Sequence, residues 1–88
     1  MKLWFRQIGD NHLLRDVTID ETDPAMTRTQ KVLHALDEAC LRLDLGHPIW
    51  LDPTVKQFQL HGRCRFTADA FMEDISFDYL EMRILEEP

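Results

Sequence analysis

Glycine is scarce in this chain and cysteine scarcer, and the sequence has neither a long apolar run nor an excess of basic residues. Three glycines, Gly9, Gly46 and Gly62, are too few and too scattered for a glycine-rich phosphate loop, and each stands where a turn or a helix stop would use it. Two cysteines, Cys40 and Cys64, neither in a Cys-x-x-Cys pair, exclude the disulfide framework of small secreted domains, so reduced thiols are expected. No apolar stretch approaches the roughly 18 residues of a bilayer crossing, and the start Met1-Lys2-Leu3-Trp4-Phe5-Arg6 lacks the apolar segment of a secretory signal. A soluble cytoplasmic protein is therefore expected. Ten Lys and Arg against sixteen Asp and Glu leave a net charge of −6, which disfavours bulk attraction to nucleic acid or anionic lipid.

What is present suits one folded unit. Eighty-eight residues, 44% of them apolar, have room for a single core, so one domain over residues 1–88 is expected. The charge is unevenly spread. Residues 1–53 carry −3, residues 54–66 carry +3 from Lys56, Arg63 and Arg65, and residues 67–88 carry −6. A basic segment thus abuts an acidic tail. The two either neutralise each other within the fold or offer an anion site and an acidic edge to partners.

Leu3, Trp4, Phe5 and Ile8 lead into Gly9-Asp10-Asn11, residues that tolerate positive φ, and His12 to Ile19 alternates with Leu13, Arg15, Val17 and Ile19 on one side. This predicts a hairpin over residues 2–8 and 12–19. Thr27-Arg28-Thr29-Gln30 fits a capping box, and Val32, Leu33, Leu36, Cys40 and Leu43 form an apolar stripe that Ala35 and Ala39 widen. One long amphipathic helix is expected over 27–45, with a Glu38–Arg42 pair on its polar side and Gly46 as its left-handed stop. Ile49-Trp50-Leu51 between two prolines reads as a brief strand or extended core segment. A short helix follows over 54–61 with Val55, Phe58 and Leu60 inward, then a helical turn after Thr67. The apolar phase slips at Tyr79-Leu80, which implies either a bulged strand over 75–85 or two separate elements; the bulged strand is preferred, and its exposed length would invite pairing with a second copy. The fold class expected is α+β: a two-layer domain with a mainly antiparallel sheet of three or four strands, 48–51 being the optional fourth, covered by the long helix and one or two short ones.

Four groupings carry chemistry in principle. Cys40, His47, His61 and Cys64 are zinc-ligand types, but two close ligand pairs are lacking and Cys40 falls on the helix stripe, so no metal or other cofactor is expected. Cys64 between Arg63 and Arg65 is in a setting that lowers a thiol pKa. Glu73, Asp74 and Asp78 could pair for acid–base work, and read more simply as a solvated edge. Trp4, Trp50, Phe58, Phe66, Phe71 and Tyr79 are most economically the core.

Through Pro48-Ile49-Trp50-Leu51, Arg65-Phe66 and Phe77-Asp78-Tyr79-Leu80-Glu81, the chain resembles a group of small bacterial proteins of unknown function and similar length, which begin with a comparable Met-Lys-Leu-Trp strand. The resemblance covers nearly the whole chain and implies a free-standing cytoplasmic protein. It implies no activity, and no functional residue follows from it. With no catalytic grouping left standing, the residues favour a non-enzymatic binding or regulatory module acting through protein contacts, with a protein partner or as a homodimer joined along the C-terminal strand. Two alternatives are an anion site at Lys56, His61, Arg63 and Arg65, with Cys64 as a nucleophile, and an acidic surface that mimics nucleic acid.

Overall fold

Alternation at the start of the chain builds a hairpin. In a computed structural model, which describes residues 1–87, β1 (Lys2–Gly9) pairs antiparallel with β2 (His12–Asp20). Asp10 and Asn11 join them at φ of 51° and 61°. Two left-handed residues in a row form the type I′ turn, whose twist matches that of the strands. Leu3 and Phe5 turn to one face opposite Ile19 and Val17, while Lys2, Trp4 and Arg6 turn to the other. The register slips between Gln7 and Ile8, so Leu14 is extra on β2. Leu13 consequently pairs with Ile8 and leaves the face of Val17 and Ile19, where its alternation had placed it. Both Leu13 and Leu14 are exposed.

The capping box forms as expected. Thr27 Oγ1 accepts from the Gln30 amide at 3.2 Å, Gln30 Oε1 accepts from the Thr27 amide at 2.9 Å, and α1 runs Arg28–Leu43. Its buried stripe is Val32, Ala35, Leu36, Ala39, Cys40 and Leu43, whereas Leu33 is exposed. The stop differs from expectation, because Asp44, not Gly46, takes the left-handed conformation (φ 55°). Arg15 then reaches across from β2, donating to the carbonyls of Leu43 (3.0 Å) and Arg42 (3.3 Å), a cation at the negative helix end. Gly46 serves another purpose: its amide donates to Glu73 Oε1 at 3.1 Å, and a Cβ there would collide with that carboxylate.

The rest of the chain departs further. No single long helix covers the sheet; α1 has 16 residues, and a second helix, α2 (Asp52–His61), has 10. In α2 Thr54 and Phe58 are buried, while Leu60 points to solvent. Residues 48–51 are extended but unpaired as a strand. Trp50 lies edge-on to Phe58 of α2 and to Phe66, with centroids 5.8 and 5.0 Å apart, and ties that helix to the sheet. After Gly62 (φ 66°) comes a strand the sequence reading lacked, β3 (Arg63–Thr67), then a 3-10 turn over Ala68–Ala70. The slip at Tyr79-Leu80 marks a boundary between elements: β4 is Tyr79–Glu86, and residues 71–78 form a loop whose Phe71 and Phe77 stack edge-to-face at 5.9 Å.

The sheet order is β2-β1-β4-β3, antiparallel throughout. β4 therefore lies inside the sheet with partners on both sides, and the exposed C-terminal strand expected to join a homodimer is absent. The architecture is α+β. α1 packs on β2 and β1, and α2 on β3. Between helices and sheet lie Leu3, Phe5, Leu36, Phe66, Leu80 and Met82, all fully buried. Each contributes about 1.5–3 kcal/mol through removal from water. Among the described residues no helix is long and apolar enough to cross a membrane.

Candidate anion site on the open sheet face

Because side chains alternate along a strand, every core residue of β1, β4 and β3 has a neighbour pointing the opposite way, onto a face that no helix covers. Across this face Arg6, Glu81 and Arg65 form one row. Trp4, Arg83 and Arg63 form the next, and Ile8, Tyr79 and Thr67 lie on the other side. Glu81 stands at the centre and is only 4% exposed. Arg6 holds it through two donors, Nη2 and Nε, the latter at 3.1 Å; Arg83 Nη2 lies 3.5 Å away and Arg65 Nε 3.9 Å.

The arginines are braced from the sides. The Arg6 guanidinium lies 4.6 Å from the centroid of Trp4, whose indole Nε1 donates to Asp16 at 2.9 Å, and Arg65 lies 4.5 Å from the centroid of Tyr79. Such stacking fixes a guanidinium plane while leaving its N–H edge available. Arg63 faces Arg83 directly across the β3–β4 pair, a like-charge juxtaposition, and has no ion pair among the described residues. Arg83 Nε is buried without an acceptor.

These side chains line an open depression of about 470 Å³, walled on one side by Gln57 and His61 of α2. Four guanidiniums surround one carboxylate, a local surplus of three positive charges on a chain of net charge −6. Of the expected anion set, His61, Arg63 and Arg65 come together here; Lys56 is exposed on α2 and lies outside the lining. Arg6, Gln57, Glu81 and Arg83 were missed. The signal for Arg6 and Arg83 was available, since both alternate with core residues on their strands.

Cys64 corrects the nucleophile expectation. The alternation of β3 that points Arg63 and Arg65 outward points Cys64 into the core, where it is buried. Desolvation, reinforced by the charge of Glu81, pushes its thiol up to about 12, the opposite of activation. Burial likewise raises Cys40 to about 11. Cys40, His47, His61 and Cys64 do not gather, and among the described residues no three His, Cys, Asp or Glu side chains are placed to hold a metal ion. Glu73, Asp74 and Asp78 lie in the loop before β4. Glu73 is bonded to Gly46, and Asp78 Oδ2 accepts from the Asp10 amide at 3.0 Å. Comparison with known protein families, curated proteins and solved structures finds no match to this chain.

Proposed function

We propose that the protein is a small non-enzymatic binding module that holds an anionic ligand on the uncovered face of its sheet. The observation that carries this reading is the cluster Arg6, Arg63, Arg65 and Arg83 lining one depression around the single carboxylate of Glu81. Arginine donors braced by aromatic rings bind oxyanions strongly at little entropic cost. The buried, protonated Cys64 argues against thiol chemistry there. Two free, buried cysteines are in keeping with a reducing cytoplasm. The test is a thermal-shift series at low ionic strength with phosphate, pyrophosphate and citrate. A rise in Tm with at least one of them, accompanied by NMR shifts confined to β1, β3, β4 and the end of α2, supports the reading. No rise with any of the three overturns it.

A second reading, action through protein contacts, is favoured by the free edge of β2, where Leu13 and Leu14 are exposed. A homodimer would then join through an edge strand, β2 being the one with exposed leucines, since both sides of β4 are occupied. Light scattering that gives a monomer mass at every concentration removes the homodimer form.

A further inference from the structure

The surplus charge, the placement of the free donors and the borders of the cluster together define a ligand class. Glu81 already supplies the planar, two-oxygen acceptor to which Arg6, Arg65 and Arg83 are turned. A carboxylate ligand would duplicate it. The donors left over are the Arg63 guanidinium, the accessible N–H groups of Arg65 and Arg83 that Glu81 does not use, the Gln57 amide and the His61 ring, Arg83 Nε being buried. They come from three elements, the neighbouring strands β3 and β4 beneath the depression and α2 beside it. Donors on a floor and an adjoining wall can reach oxygens that lie out of one plane, as on phosphorus, whereas a carboxylate offers two oxygens in a plane. Gly62, at the end of α2, does not oppose an anion with a free carbonyl, because that oxygen accepts from the Ile84 amide at 2.9 Å.

Charge sets the number of phosphoryl groups, and the borders set the size. One phosphoryl group carries about −1.5 to −2 at neutral pH, short of the three positive charges in surplus, whereas a diphosphate ester comes close to matching them. The depression, about 470 Å³, is larger than a diphosphate and leaves room for the body that carries it. The positive zone ends abruptly: Asp16 sits opposite Arg6, and Lys2 lies between Asp20 and Glu86. A long polyanion would run off the arginines onto carboxylates.

The geometry points to a binding site for a compact diphosphate ester, of small-molecule size, seated between Arg63, Arg65 and Arg83 with Gln57 and His61 at its side. The site is the one assigned above to an anion, so the assignment rests on that reading, and the experiment separates the two. Calorimetric titrations at about 50 mM salt, where screening is modest, use pyrophosphate, a nucleoside diphosphate, inorganic phosphate, citrate and a single-stranded decanucleotide. Citrate has three negative charges but only carboxylates. Pyrophosphate and the nucleoside diphosphate are expected to bind about tenfold or more tighter than phosphate or citrate. Citrate binding as tightly as pyrophosphate overturns the phosphoryl assignment and leaves the anion module standing; no binding by any probe overturns both. The decanucleotide binding more tightly than the nucleoside diphosphate overturns the compact ligand. Arg63→Gln supplies the second arm. It is expected to lose about tenfold or more in pyrophosphate affinity yet to raise the ligand-free Tm by relieving the juxtaposition with Arg83, while Arg42→Gln on α1 leaves affinity unchanged. Unchanged pyrophosphate affinity in Arg63→Gln places the ligand elsewhere and overturns the site.

Discussion

Glu81 and Glu21 are both buried carboxylates, but they are stabilised differently. Glu81 is surrounded by permanently charged guanidiniums. Glu21 depends on a switchable partner: His34 Nδ1 lies 2.5 Å from its Oε1, and that contact, with the charge of Glu21, raises the histidine above its ordinary value. A group whose pKa is higher folded than unfolded binds more protons in the native state, so its contribution falls as pH rises. Here it is complete below the unfolded histidine value, about 6.5, and disappears as pH passes the raised folded one. Tm is therefore expected to decline across that window in the wild type, and His34→Gln is expected to flatten the decline. Equal slopes in the two proteins would show that the pair has no effect. The same segment is also tied to the chain start, where the Met1 ammonium donates to the Glu21 carbonyl at 2.8 Å.

At the scale of elements, legibility in the sequence depended on whether the information was local. The hairpin could be read because Asp10-Asn11 and the flanking alternation lie within twenty residues, and the start of α1 because Thr27 and Gln30 are three apart. The end of α1 was misplaced because two residues compete there. Asp44 takes the left-handed conformation and leaves Gly46 to make room for Glu73. The strand β3 escaped because Arg63-Cys64-Arg65-Phe66-Thr67 holds only two apolar residues, although their alternation with arginine is what an outward-facing cationic strand looks like. The capping box invites a direct check. Thr27→Ala is expected to cost about 1 kcal/mol in urea unfolding, while Thr29→Ala, exposed within the helix, changes stability little. Equal effects of the two substitutions would show that the cap is not what starts the helix.

At the scale of the molecule, strand order was out of reach, since nothing local announces that Leu3 pairs with Ile84 or that β4 slots between β1 and β3. The candidate site shared that fate. Its His61, Arg63 and Arg65 are near neighbours in the chain, whereas Arg6 and Arg83 join them only through the pairing of β1 with β4. The same order predicts a gradient of protection. Amides of β1 and β4, each flanked on both sides, are expected to exchange with solvent more slowly than those of β2, whose outer edge is free. Exchange in β2 as slow as in β1 would mean that its edge is covered, as a β2-to-β2 dimer requires.

The central position of β4 also sets an order of events as the polypeptide is made. The hairpin leaves the ribosome before the rest of the sheet, and the inner side of β1 has no neighbour until β4 follows about sixty residues after the end of β2, Leu3 then meeting Ile84. In the interval both flanks of the hairpin present unpaired amide and carbonyl groups, open to pairing with other strands. The placing of β4 between β1 and β3 both closes the sheet and brings the four arginines round Glu81. A chain cut before β4 would thus lack the arginine cluster as well as the closed sheet.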